Sequence, residues 1–134
     1  MTVKIEKLPD EPILSLVYDG RMTPEDLRYT EQESVKLAAG LEKPVYRVSD
    51  ARALKMSFSD LVILMFDAAR ARNQPGSLAD PDFVDLIIAP SEGLVAFGTK
   101  SLSQEQYGKL NIQVFDTVAT AFAHAREEIA KRGA

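Results

Sequence analysis

The segment ILSLVYD, residues 13–19, constrains this chain more than any other. Read as a strand, it is apolar on both faces, with Ile13 and Val17 on one side and Leu14, Leu16 and Tyr18 on the other. Such a strand belongs in the centre of a sheet. The preceding VKIEKL alternates Val3, Lys4, Ile5 and Glu6, the pattern of an edge strand with one wet face, and PDEP joins the two as a hairpin.

Helix signals follow in alternation with strands. Thr23 offers an N-cap, Pro24 sits at the first helical position, and Glu25 and Asp26 place negative charge at the positive end of the dipole. The helix is expected to run to Ala39, with Gly40 as its left-handed stop. PVYRVSD reads as the next strand. Ser57 or Ser59 caps a second helix, Ser57 and Asp60 having the spacing of a capping box. FVDLIIA is strand-like, and from Ser91 the residues Leu94, Phe97, Gly98 and Leu102 recur at helical spacing up to Gly108. IQVF is a short strand, and Val118, Ala121, Phe122, Ala125 and Ile129 line one side of a closing helix. The order predicts an α/β fold: a mixed, mostly parallel sheet of about five strands beginning with an antiparallel hairpin, with about four helices packed against it. No repeat or long linker divides residues 1–134, which read as a single domain.

Composition removes several function classes. There is no cysteine and only one histidine, His124, so disulfides, thiolate-ligated metals and histidine-rich zinc sites are excluded. A net charge of -4, with acidic and basic residues interspersed, gives no basic stripe and argues against nucleic acid as a partner. MTVKIEKLPD lacks the pattern of a signal peptide and no apolar run reaches membrane-spanning length, so a cytoplasmic protein without a membrane span is expected.

Candidate chemistry is sparse. Asp19, Asp50 and Asp116 each close a predicted strand, so parallel strands bring them toward one sheet edge, where carboxylates can form a polar or Mg²⁺ site. Asp116 directly precedes a helix and Asp19 precedes Gly20, positions where capping and turn preferences explain an aspartate without a ligand. GLVAFGTKS, residues 93–101, approaches the phosphate-loop spacing, but Thr99 intrudes between Gly98 and Lys100. His124 falls outside the apolar face of the closing helix and reads as exposed. Glu31 projects between Leu27 and Val35 on the apolar side of the first helix, and the rarity of buried carboxylates favours local exposure. With no Gly-x-Ser-x-Gly elbow, no catalytic residue and no cofactor are assigned.

The strongest anomaly is the run Leu61–Phe66, six consecutive apolar residues inside the second helix. With its neighbours it covers about 200° of helical arc, where a surface helix needs roughly 100°. Val62, Ile63 and Phe66 are therefore left over as an interaction surface. The loop at 72–82, carrying Leu78 with Phe83 beyond it, a second subunit, or an apolar ligand can cover them.

YDGRMTPEDL, VYRVSDARALKMSFSDL and IQVFDTVATAFAHARE, in that order, resemble the SpoIIAA-like branch of the STAS domains, the fold of anti-sigma factor antagonists and of the cytoplasmic domains of sulfate transporters. The resemblance spans essentially the whole chain. It implies a non-enzymatic protein-interaction or signalling module, with a homodimer or another protein as partner. It also implies a phosphorylatable serine between strand and second helix. Ser57 and Ser59 occupy that turn, MSFSD, although the family's Asp-Ser pair and glycine are missing. The same fold is similar to lipid-binding Sec14-type domains, which implies a carrier of a small apolar ligand as the alternative. A metal-dependent enzyme at the three aspartates is the third possibility.

Overall fold

The computed structural model describes residues 2–90, 93, 95, 100 and 112–132. Strands β1 (Thr2–Lys7) and β2 (Ile13–Gly20) form the expected antiparallel hairpin, with Val3 opposite Tyr18 and Ile5 opposite Leu16. Helix α1 (Pro24–Ala38) leads to β3 (Val45–Leu54), and α2 (Phe58–Arg70) leads through a loop to β4 (Phe83–Ile88). β5 (Ile112–Phe115) and α3 (Val118–Arg132) close the chain. The strands lie in sequence order in one five-stranded sheet, antiparallel between β1 and β2 and parallel from β2 to β5. The architecture is thus the α/β class read from the sequence, with three helices among the described residues. The helix expected from Ser91 to Gly108 and most of the GLVAFGTKS stretch lie outside those residues.

Local chemistry sets the helix starts. Thr23 Oγ1 accepts from the Asp26 amide at 3.2 Å while Asp26 Oδ2 accepts from the Thr23 amide at 2.8 Å, a complete capping box beside Pro24. Ser57 and Asp60 repeat it at α2, both bonds at 3.1 Å. α1 stops two residues before Gly40, whose φ of 83° is the left-handed conformation that ends helices.

Period-two alternation sorts the strands into two cores. Ile13, Tyr46, Val48, Leu86 and Ile88 face α3, where Ala121 and Ala125 let the helix approach closely. On the opposite face, Leu14, Leu16, Tyr18, Val45 and Phe83 pack beneath α1. Consecutive crossovers of one hand, made in one direction along a sheet, put their helices on one face, and α1 and α2 do share that side. Ile13, Leu14, Val45 and Leu86 have no measurable exposure, each side chain contributing about 1.5 to 3 kcal/mol of burial. Val17, expected to be covered, is exposed. Among the described residues, no helix is long and apolar enough to cross a membrane.

Candidate functional site

α2 stands off the sheet, and the space beneath it is a cavity of about 130 Å³. Leu16, Leu27, Leu61, Leu64, Met65 and Ile87 make most of its wall apolar. One part is polar: Tyr18 from β2, Thr30 and Glu31 from α1, Arg47 and Ser49 from β3, and Asp85 from β4. These positions converge because residues two apart on a strand share a face, and the register sets Arg47 directly opposite Asp85.

Arg47 is 3% exposed and Asp85 likewise 3%. Arg47 Nε lies 2.8 Å from Asp85 Oδ1, and Nη2 donates to Asp85 Oδ2 at 3.0 Å. Nη1 donates to the Gly76 carbonyl and Nη2 also donates to that of Ser77 at 3.1 Å, while the guanidinium stacks 4.3 Å from the Phe83 ring centroid. Burial raises the Asp85 carboxyl above its ordinary range, and the Arg47 charge and hydrogen bond oppose that rise. This pair organises the loop between α2 and β4. Gly76 adopts φ of 79° directly under α1, where a Cβ would come within 2.5 Å of the Glu31 carbonyl oxygen. Only glycine fits there.

Glu31 is buried, at 4% exposure, which corrects the expectation of local exposure. It is neutralised only in part. Arg28 Nη1 stands 2.8 Å from Glu31 Oε1 without the alignment of a hydrogen bond, and Arg28 Nη2 donates to Asp67 of α2. Burial therefore prevails over the nearby Arg28 and Arg47, and lifts the Glu31 carboxyl from 4.5 to about 7. Tyr18 is also buried, and its phenol is pushed up to about 12 by desolvation, against Arg47 and the Thr30 and Ser49 hydroxyls.

The outer side of α2 is different. Leu78 packs over Leu61 and Met65 on the inner part of the apolar arc, but the loop does not cover Ile63 and Phe66 as expected of it, and Phe83 belongs to the core beneath α1. Ile63 is 53% exposed and Phe66 61%, with Phe58 beside the helix start at 60%, and Val62 is half-buried. Ser57 and Ser59 are both exposed, the Ser57 hydroxyl being occupied as the cap. Asp60 is held below the usual carboxylate range by the Ser57 amide and by Arg21 at 2.8 Å.

The three strand-end aspartates do not meet. Asp19 pairs with Ala53 and Asp50 with Val17, so the two are about three residues, or roughly 10 Å, apart along the strands. β4 intervenes between Asp50 and the end of β5 where Asp116 lies. Arg52 holds Asp50 bidentately at 2.9 and 2.7 Å and lowers its carboxyl. Thr117, not Asp116, caps α3 by accepting from the Thr120 amide at 3.1 Å. Among the described residues no group of acidic or histidine side chains is placed to hold a metal ion. His124, expected to be exposed, is half-covered by Phe115, the rings 5.3 Å apart.

Sequence reasoning missed Arg47, Asp85 and Tyr18. The available signal was a charge in the middle of each of two apolar strands, PVYRVSD and FVDLIIA. No family model matches the chain, and no curated protein does. Among solved structures, it is similar to an uncharacterised protein of the DUF3478 family with a SpoIIAA-like fold from Shewanella loihica PV-4. Identity is 16%, the match covers 92% of either chain, and the TM-score is 0.57. The chain has a SpoIIAA-like fold, as its sequence resemblance implied, and at this identity the likeness concerns the fold alone.

Proposed function

We propose that this chain is a cytoplasmic binding module without catalytic activity, and that it encloses a small apolar molecule between α1, α2 and the sheet. The observation that carries this reading is the cavity of about 130 Å³ with its mainly aliphatic wall and a single polar region. An engineered apolar cavity of about 150 Å³ binds benzene or xenon, so the volume here suits a ring or a short acyl segment. A few convergent polar groups in an apolar pocket are the usual make-up of a small-molecule site. The fold's likeness to Sec14-type lipid carriers, noted from the sequence, supports the same use. Protein purified from its native cytoplasm should release an apolar compound on organic extraction, identified by mass spectrometry against a Leu64→Trp variant that fills the cavity. Equal extracts from both would overturn the reading.

A second reading, a homodimer of STAS-like type, is favoured by the outer side of α2. Phe58, Ile63 and Phe66 put three large exposed apolar side chains on one helix, and a self-complementary contact needs only one such patch. The occupant is then a second copy of the chain. Sedimentation should show a dimer that Phe66→Asp converts to monomer; monomers in both forms would exclude it.

A further inference from the structure

The polar region of the cavity carries more than a general affinity for apolar molecules. Resting on the reading of the cavity as a ligand site, we propose that it selects an uncharged apolar molecule bearing one hydroxyl or carbonyl oxygen. Glu31 in its acid form donates to that oxygen, and ionisation of Glu31 weakens binding.

Geometry supplies the argument. The groups facing Glu31 are Arg28 on its own helix, Arg47 on β3, Asp67 on α2 and Asp85 on β4, with Tyr18 of β2 on the same cavity wall. Arg47 is committed to Asp85 and to the Gly76 and Ser77 carbonyls, and Arg28 spans Glu31 and Asp67. Apart from Glu31, each cation is matched by a carboxylate. A protonated Glu31 therefore leaves the wall neutral, and an ionised one leaves it a net negative charge. A carboxylate ligand would find both cations already paired and two aspartates beside them. An uncharged oxygen, by contrast, can accept from the Glu31 acid or exchange hydrogen bonds with Tyr18, Thr30 and Ser49, which share the wall. The elevated Glu31 carboxyl places this change of charge near neutral pH.

The test titrates the full chain with phenol, benzene and benzoate at pH 5.5 and pH 8.5, following the Leu61, Leu64 and Met65 methyl resonances. Phenol stays neutral and benzoate stays charged at both pH values, given ordinary acidities of about 10 and 4. Phenol is expected to bind about tenfold more tightly at pH 5.5, the effect of roughly one hydrogen bond. Benzene should bind equally at both, benzoate at neither, and Glu31→Gln should remove the phenol pH dependence. Phenol binding that is indifferent to pH, phenol and benzene changing in step, or benzoate binding as well as phenol would overturn the role of Glu31 while leaving the cavity a ligand site. No response to phenol or benzene would overturn the ligand reading itself. The wild-type comparison does not depend on any variant folding.

Discussion

Arg47→Met lowers the stability of the folded chain by about 3 to 5 kcal/mol, the usual cost of leaving one member of a buried ion pair alone. Asp85 sits opposite Arg47 on the neighbouring strand, almost without solvent, and Arg47 is the cation at 2.8 Å that makes its ionised form tolerable. The substitution also strips a donor from the Gly76 and Ser77 carbonyls. The loop beneath α1 then loses its anchor, since buried carbonyls without partners carry a desolvation cost. Urea unfolding of both proteins measures the difference, the midpoint falling with an unchanged slope. Combining Arg47→Met with Asp85→Leu should recover much of the loss, because no unpaired charge remains. If Arg47→Met alone costs under ~1 kcal/mol, the loop is not held as described.

Glu31→Gln should stabilise the protein at pH 8 by on the order of 3 kcal/mol and leave it nearly unchanged at pH 4. The sign follows from the direction of the shift. In the unfolded chain Glu31 loses its proton around 4.5, whereas in the folded chain it keeps it to about 7. Across that window the folded state binds more protons, so its stability falls as pH rises. The contribution is fully present below 4.5 and is lost as pH passes through about 7. The amide introduced by Glu31→Gln never ionises, and the difference between the two proteins cancels the opposite contributions of Asp50 and Asp60, whose carboxyls are lowered. Denaturant melts at pH 4, 6 and 8 follow the divergence; parallel curves would mean that Glu31 titrates in the folded chain as it does in the unfolded one.

Much of the fold was legible because its signals are local. Thr23 and Pro24 define a helix start, as Ser57 and Asp60 define another; the Ser57–Asp60 capping box forms as read, and Thr23, read only as an N-cap, forms one with Asp26. The both-sided apolar character of residues 13–19 marked a central strand, and α1 with α2 on one face and α3 on the other cover the sheet. The excess apolar arc of α2 was equally visible, and Ile63 and Phe66 are exposed on it.

The candidate site was not legible, and Glu31 shows why. On a helical wheel it is one carboxylate among leucines, and the general rarity of buried acids favoured exposure. Its backbone is met by Gly76, arriving from forty-five positions further along the chain, and what tempers its side-chain charge is an arginine shared with Asp67. Arg47 and Asp85 likewise read as two unrelated charges until the strand register sets them face to face. Conversely, Asp19, Asp50 and Asp116 share a position in the sequence pattern but not in space, because register and strand order separate them. Periodicity and capping act over a few residues, so the chain by itself determined its elements, their order and which helix carries surplus apolar surface. Desolvation depends on everything packed around a group, so only the tertiary structure decided that a cavity lies beneath that helix and that a carboxyl on its wall holds a proton near neutral pH.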